Sequence, residues 1–169
     1  MWHMTFKMLA WPDDAQRVEV AEGLVLPDRL RGVESTPYEG QRVKLALELR
    51  AYRYRVVSLT LDVEGEREIT GSTLRKLPVG HLVNGIAWTY ARTPGPNGEE
   101  RFSPIPQWDR PEDGPDSDTL LRVAHLFALE YASGGTPVRR IEADLDVPRS
   151  TAENWVRRAK DRGLIRAAS

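Results

Sequence analysis

From Gln41 to Val63 apolar residues recur at every second position: Val43, Leu45, Leu47 and Leu49, then Val57, Leu59, Leu61 and Val63. Period two marks a strand with one buried face. One strand of that length would be unusual, so the pattern predicts a hairpin turning near Ala51-Tyr52, although neither residue is a favoured turn former. Glu64-Gly65-Glu66 ends the second strand. A shorter strand pair is expected around the turn signal Glu22-Gly23, where Val18, Val20, Leu24, Val25 and Leu26 cluster.

The period then changes. Leu74, Leu77, Leu82, Ile86 and Tyr90 recur at helical spacing. Thr73 is expected to cap a short turn through Leu77, and Pro78 to open a helix running to about Ala91. Three more helices are expected in the last third. The first spans about Asp118 to Ala132, with Leu120, Ala124, Phe127, Ala128 and Tyr131 on one stripe, and Asp116 and Asp118 at its capping end. Ser133-Gly134-Gly135 stops it. Thr136 caps the second, with Pro137 at its first position, ending near Asp144. The third runs from about Arg149 to Arg162 and stops at Gly163.

Between these regions lies a stretch of different composition. Residues 94–118 hold six of the 12 prolines, and Arg101 and Arg110 stand against seven acids, a net charge of −5. Proline removes backbone donors and interrupts helices and central strands. Residues 94–117 therefore read as an acidic, proline-rich linker, from which Phe102 and Trp108 are expected to dock on a neighbouring surface. The expected organisation is α+β: a small strand-rich N-terminal domain with a helix (1–93), the linker (94–117) and a three-helix C-terminal domain (118–169).

Charge follows the same division. The whole chain carries 24 basic and 25 acidic side chains, net −1. Residues 1–93 have 13 basic and 12 acidic, residues 119–169 nine and six. Within the latter, residues 149–169 have six against two, net +4. A near-neutral total thus conceals a basic C-terminal end.

That end contains the most informative text, residues 137–156, PVRRIEADLDVPRSTAENWV. A short helix, a tight turn and a second helix must pack steeply, which assigns their apolar positions. Ile141 and Leu145 line the first helix, Val147 plugs the corner, and Ala152, Trp155 and Val156 form the inner face of the second. Arg149, Ser150, Glu153, Asn154, Arg157 and Arg158 are then turned outward. The run Leu145-Asp146-Val147-Pro148-Arg149-Ser150-Thr151-Ala152 resembles the turn and recognition-helix start of the helix-turn-helix in bacterial transcription regulators. Ala159-Lys160-Asp161-Arg162-Gly163-Leu164-Ile165 is similar to the way winged-helix members close that helix. The resemblance covers roughly residues 119–166. Asp146 stands where glycine is common, and Asp accepts the left-handed conformation better than most residues. Only Arg166 to Ser169 follow Ile165, so no wing is expected.

The residue chemistry points the same way. Base edges in the major groove are read by Arg, Asn and small hydroxyls from the first turns of a helix, as at Arg149, Ser150, Thr151, Glu153 and Asn154. Arg157, Arg158, Lys160 and Arg166 are placed to neutralise phosphates. Arg139, Arg140 and Thr136 open the preceding helix, which would cross the DNA backbone. The expected function is sequence-specific binding of double-stranded DNA, as a transcription regulator of a bacterium or its mobile elements. Alternatives are an adaptor whose three-helix domain binds protein, and an architectural DNA-binding factor. A single small motif of this kind gains specificity by pairing half-sites, which suggests a homodimer through the N-terminal domain.

Other classes find less support. The chain has no cysteine, so disulfides, thiolate metal sites and cysteine nucleophiles are excluded. His3, His81 and His125 show no metal-ligand spacing, and His81 and His125 read as structural residues of amphipathic helices. There is no glycine-rich phosphate loop with Lys and no Gly-x-Ser-x-Gly elbow, so no catalytic residue, metal or cofactor is expected. Arg50-Ala51-Tyr52-Arg53-Tyr54-Arg55 interleaves bases with aromatics, which can stack on nucleic acid. At a hairpin tip, cross-strand packing is the better reading. The five tryptophans, Trp2, Trp11, Trp88, Trp108 and Trp155, are expected to pack rather than bind. Met1 to Asp14 lacks a basic region leading into an apolar run, and no apolar stretch reaches membrane-spanning length. A cytoplasmic protein with no membrane partner is expected.

Overall fold

A computed structural model describes residues 11–34, 41–63, 65, 68–95, 97, 99–101 and 114–166. Most of the expected linker, with Phe102 and Trp108, lies outside the described residues, as does Trp2. The described chain is mixed α and β, with small antiparallel sheets and five helices, three of them at the C-terminal end.

Strands β1 (Arg17–Ala21) and β2 (Leu24–Pro27) form the first hairpin, with Gly23 at φ +68° in its turn. Val20, Leu24 and Leu26 are buried. Strands β3 (Arg29–Glu34), β4 (Gln41–Arg50) and β5 (Arg53–Val63) make a sheet of order β3–β4–β5. The turn between β4 and β5 falls at Ala51-Tyr52, both at positive φ (+47° and +62°), the backbone a two-residue type I′ turn requires. The expected alternation needs one correction. Period two places Val57 on one face with Leu59, Leu61 and Val63, but a bulge intervenes. Leu45 pairs with Leu59 and Ala46 with Ser58, whereas Leu47 pairs with Val56 and Leu49 with Tyr54. The inserted residue shifts the alternation by one, so Tyr54 and Val56 join the core-facing set and Val57 is 55% exposed.

Helix α1 (Gly71–Lys76) begins one turn earlier than expected. Its N-cap is Thr70, whose hydroxyl accepts from the Thr73 N–H while the Thr73 hydroxyl accepts from the Thr70 N–H. Thr73 is thus the third helical residue, and Leu74, one of the apolar residues at helical spacing, is 52% exposed. Helix α2 (Val79–Tyr90) buries Leu82, Ile86 and Tyr90, with Pro78 as its N-cap. Two-residue strands β6 (Thr93–Pro94) and β7 (Glu100–Arg101) follow.

Helix α3 (Ser117–Ala132) is capped by the Asp116 carboxylate, which accepts from the Thr119 N–H at 2.7 Å. It buries more than the expected stripe. Val123, His125, Leu126 and Leu129 are also inside, because α3 packs against α2, β1, α4 (Pro137–Leu145) and α5 (Arg149–Asp161). The segments expected as separate domains share one hydrophobic core among the described residues. Backbone pairing joins them as well. The Glu22 N–H donates to the Leu164 carbonyl at 2.8 Å and the Arg166 N–H to that of Val20 at 3.1 Å, so the tail after α5 lies along β1. On the other side of the hairpin, Val25 and Arg92 exchange N–H and carbonyl bonds. No helix among the described residues is long and apolar enough to cross a membrane.

Candidate nucleic-acid interface

The α4–α5 pair takes its shape from a few residues. Asp146 adopts the left-handed conformation (φ +47°, ψ +52°) and ends α4, while the Val147 N–H donates to the Glu142 carbonyl at 3.3 Å. Pro148 leads into α5 from an extended conformation. Ile141, Leu145 and Val147 are buried beneath the corner, and Ala152, Trp155, Val156 and Ala159 beneath α5. Ala159 extends the inner face by one turn beyond the residues that the sequence pattern assigns to it.

Burial of that stripe sets the outer face. Arg149, Ser150, Glu153, Asn154, Arg157 and Arg158 are exposed and Thr151 is half-buried. At 1.5 Å rise per residue, Arg149 and Arg158 stand about 14 Å apart along the axis. The first turn of α5 holds no acidic residue and its N-cap makes no side-chain bond, so the positive end of the helix dipole is open to solvent. Arg149 donates to Glu153 at 2.8 Å, and that carboxylate raises the pKa of the guanidinium. Both side chains are more than half exposed, so the pair is weak and exchangeable. Arg157 donates to the Asn154 side-chain oxygen at 3.3 Å. Lys160 lies over the Phe127 ring, 5.0 Å from its centroid.

The basic residues around α5 divide into engaged and unengaged. Arg140 donates to Asp144 at 3.0 Å and stacks on Trp88 at 5.0 Å, so it helps attach α4 to α2. Arg166 pairs with Glu19 at 3.5 Å and donates to the Gly163 carbonyl. The side chains of Arg139, Arg158 and Arg162 make no hydrogen bond or ion pair among the described residues. Arg162, at the end of α5, is not among the residues expected from sequence. Its position one helical turn beyond Arg158 was the available signal. Thr136 is exposed and, contrary to expectation, its hydroxyl forms no cap to the N–H groups of the first turn, although Pro137 opens α4 as expected.

The other candidates resolve into packing. Tyr54 is buried and donates its hydroxyl to the Pro27 carbonyl at 2.9 Å. Arg50 donates twice to Glu48, and Arg53 lies over Tyr131 at 5.6 Å. The arginine–tyrosine run thus engages its own sheet and α3. His125 Nε2 lies 2.7 Å from the Glu22 carbonyl oxygen. His81, expected to be structural, is exposed. It edges a polar cleft of about 360 Å³ between α2 and the α3–α4 turn. There the Asn84 amide donates to Glu130 and Ser133.

Comparison with protein-family models, curated proteins and solved structures finds no match for this chain.

Proposed function

We propose that the chain is a sequence-specific DNA-binding protein, in which α4 and α5 act as a helix-turn-helix and α5 enters the major groove. The role that fits is transcription regulation in a bacterium or its mobile elements. One observation carries the reading. Burial of Ala152, Trp155, Val156 and Ala159 leaves a single outward face bearing Arg149, Ser150, Asn154, Arg157 and Arg158. Arg149, Ser150 and Asn154 occupy the leading end of α5, where side chains reach base edges. Glu153 is an acceptor of the kind that reads cytosine, and Arg149 can exchange Glu153 for guanine. Arg157, Arg158 and Arg162 lie further along, where phosphates are closer. Arg139 at the start of α4 is a second phosphate contact.

Selection of bound fragments from a random DNA pool tests the proposal. One enriched motif is the expected result. Weak, uniform binding to all sequences would instead favour an architectural factor. No binding by the folded chain would favour an adaptor whose α5 face meets a protein.

A further inference from the structure

We propose that β5 is a dimerisation edge, onto which the β5 strand of a second copy of this chain adds antiparallel across a two-fold axis. This stands on the strand itself and does not rest on the DNA-binding reading.

Strand β5 is the outer strand of its sheet, and among the described residues no strand pairs with its second edge. It is 11 residues long. Such an edge offers a row of backbone donors and acceptors to another strand. It is also apolar. Val56 and Val57 are 38% and 55% exposed, and Leu59 and Leu61 are only partly covered.

A second copy fits because β5 is self-complementary in both face and charge. Tyr54 and Val56 pair with Leu49 and Leu47, and Leu59 and Leu61 with Leu45 and Val43. Directly opposed residues share a face, so Tyr54, Val56, Leu59 and Leu61 all lie on the core side. Arg53, Arg55, Thr60 and Asp62 lie on the other. The bulge at Val57 puts the two halves of the strand in this relation. A dyad between Val57 and Ser58 then sets Val56 against the partner's Leu59 and Tyr54 against the partner's Leu61. On the outer side it sets Arg55 against the partner's Thr60 and Arg53 against the partner's Asp62. A dyad on Ser58 itself would oppose core-side to outer-side residues. The register is therefore specified, and each basic end meets an acidic one twice. Among the described residues Asp62 has one exposed contact, with Lys44 at 3.8 Å, and Arg53 lies over the Tyr131 ring at 5.6 Å; pairing across the dyad shares or exchanges both. Antiparallel pairing of one edge with itself closes at two copies.

Sedimentation equilibrium of the full chain without DNA, across the micromolar range, tests this. The expected result is a monomer–dimer equilibrium. Asp62→Arg opposes like charges twice and should weaken the dimer roughly tenfold, and adding Arg53→Asp in the same chain should recover it. Circular dichroism checks that each variant is folded. The chain has no cysteine, so single substitutions report register directly. Ser58→Cys places two thiols beside the dyad and should cross-link under mild oxidation. Asp62→Cys places them about 30 Å apart, nine residues along the strand, and should not. A folded parent that stays monomeric throughout overturns the proposal. So does a dimer indifferent to Asp62→Arg, or one that cross-links through Asp62→Cys and not through Ser58→Cys.

Discussion

At Tyr54 and Ala51 single residues bear strain or burial that can be measured. The Tyr54 phenol is enclosed by the core, and burial, reinforced by Asp28 and Tyr90, raises its pKa well above 10.0. The fold therefore favours the protonated phenol. That preference contributes its full stability below pH 10 and is lost as pH rises towards the folded pKa, because only the unfolded chain releases the proton. Tyr54→Phe removes the bond to Pro27 and should cost about 1 kcal/mol at neutral pH. In denaturant titrations the deficit should shrink above pH 10; a constant deficit would show that Tyr54 ionises equally in both states. Ala51, at φ +47°, has a Cβ where the turn favours none. Ala51→Gly should raise stability by about 1 kcal/mol, since the relieved strain exceeds the added freedom of the unfolded chain. A lower melting temperature would show that the turn is not strained.

At the scale of elements, α5 separates packing from recognition. Trp155 anchors its inner face, and Trp155→Ala should cost about 3–5 kcal/mol and abolish binding through unfolding. Arg149→Ala and Asn154→Ala should leave the fold intact and weaken the selected site about tenfold or more. They should affect random DNA much less. Arg158→Ala should weaken all sequences alike and reduce the salt slope by about one unit. Equal losses on selected and random DNA for Arg149→Ala would mean that the leading end of α5 does not read bases. Much of this face was legible in the sequence, because helical period assigns Ile141, Leu145, Trp155 and Val156 inward and their neighbours outward. The hairpin at Ala51-Tyr52 was legible for a similar reason. The bulge at Val57 was not: an extra residue changes register without changing composition. Nor was Thr70 as the cap of α1, since Thr73 is an equally good capping residue and only the backbone decides between them. The stacking of Arg140 on Trp88 depends on α2 lying against α4, which no local pattern encodes, whereas its i,i+4 pair with Asp144 is local to α4.

For the molecule as a whole, composition suggests a break that the core does not follow. Proline and acid mark residues 94–117, yet the chain on either side is tied together at several points. The tail after α5 pairs with β1, and His125 on α3 meets the carbonyl of Glu22 in the β1–β2 turn. Asn84 on α2 bonds Glu130 and Ser133 at the end of α3, and Arg140 stacks on Trp88. Val20 and Ala21 of β1 are fully buried in the same cluster as Leu120, Ala124 and Ile141. A fragment of residues 114–169 would expose the faces of α3 that α2 and β1 cover, leaving a small helical unit with too little buried surface. The full chain should therefore unfold in one step, with tryptophan fluorescence and far-ultraviolet dichroism giving the same midpoint. Trp88 and Trp155 lie on either side of the expected boundary, so variants that keep only one of these two among the five tryptophans let each side be followed separately. The fragment should show no sharp transition of its own. Two separated midpoints, or a cooperative transition in the fragment, would mean that α3–α5 is an independent domain and that its contacts with β1 and α2 add little to its stability.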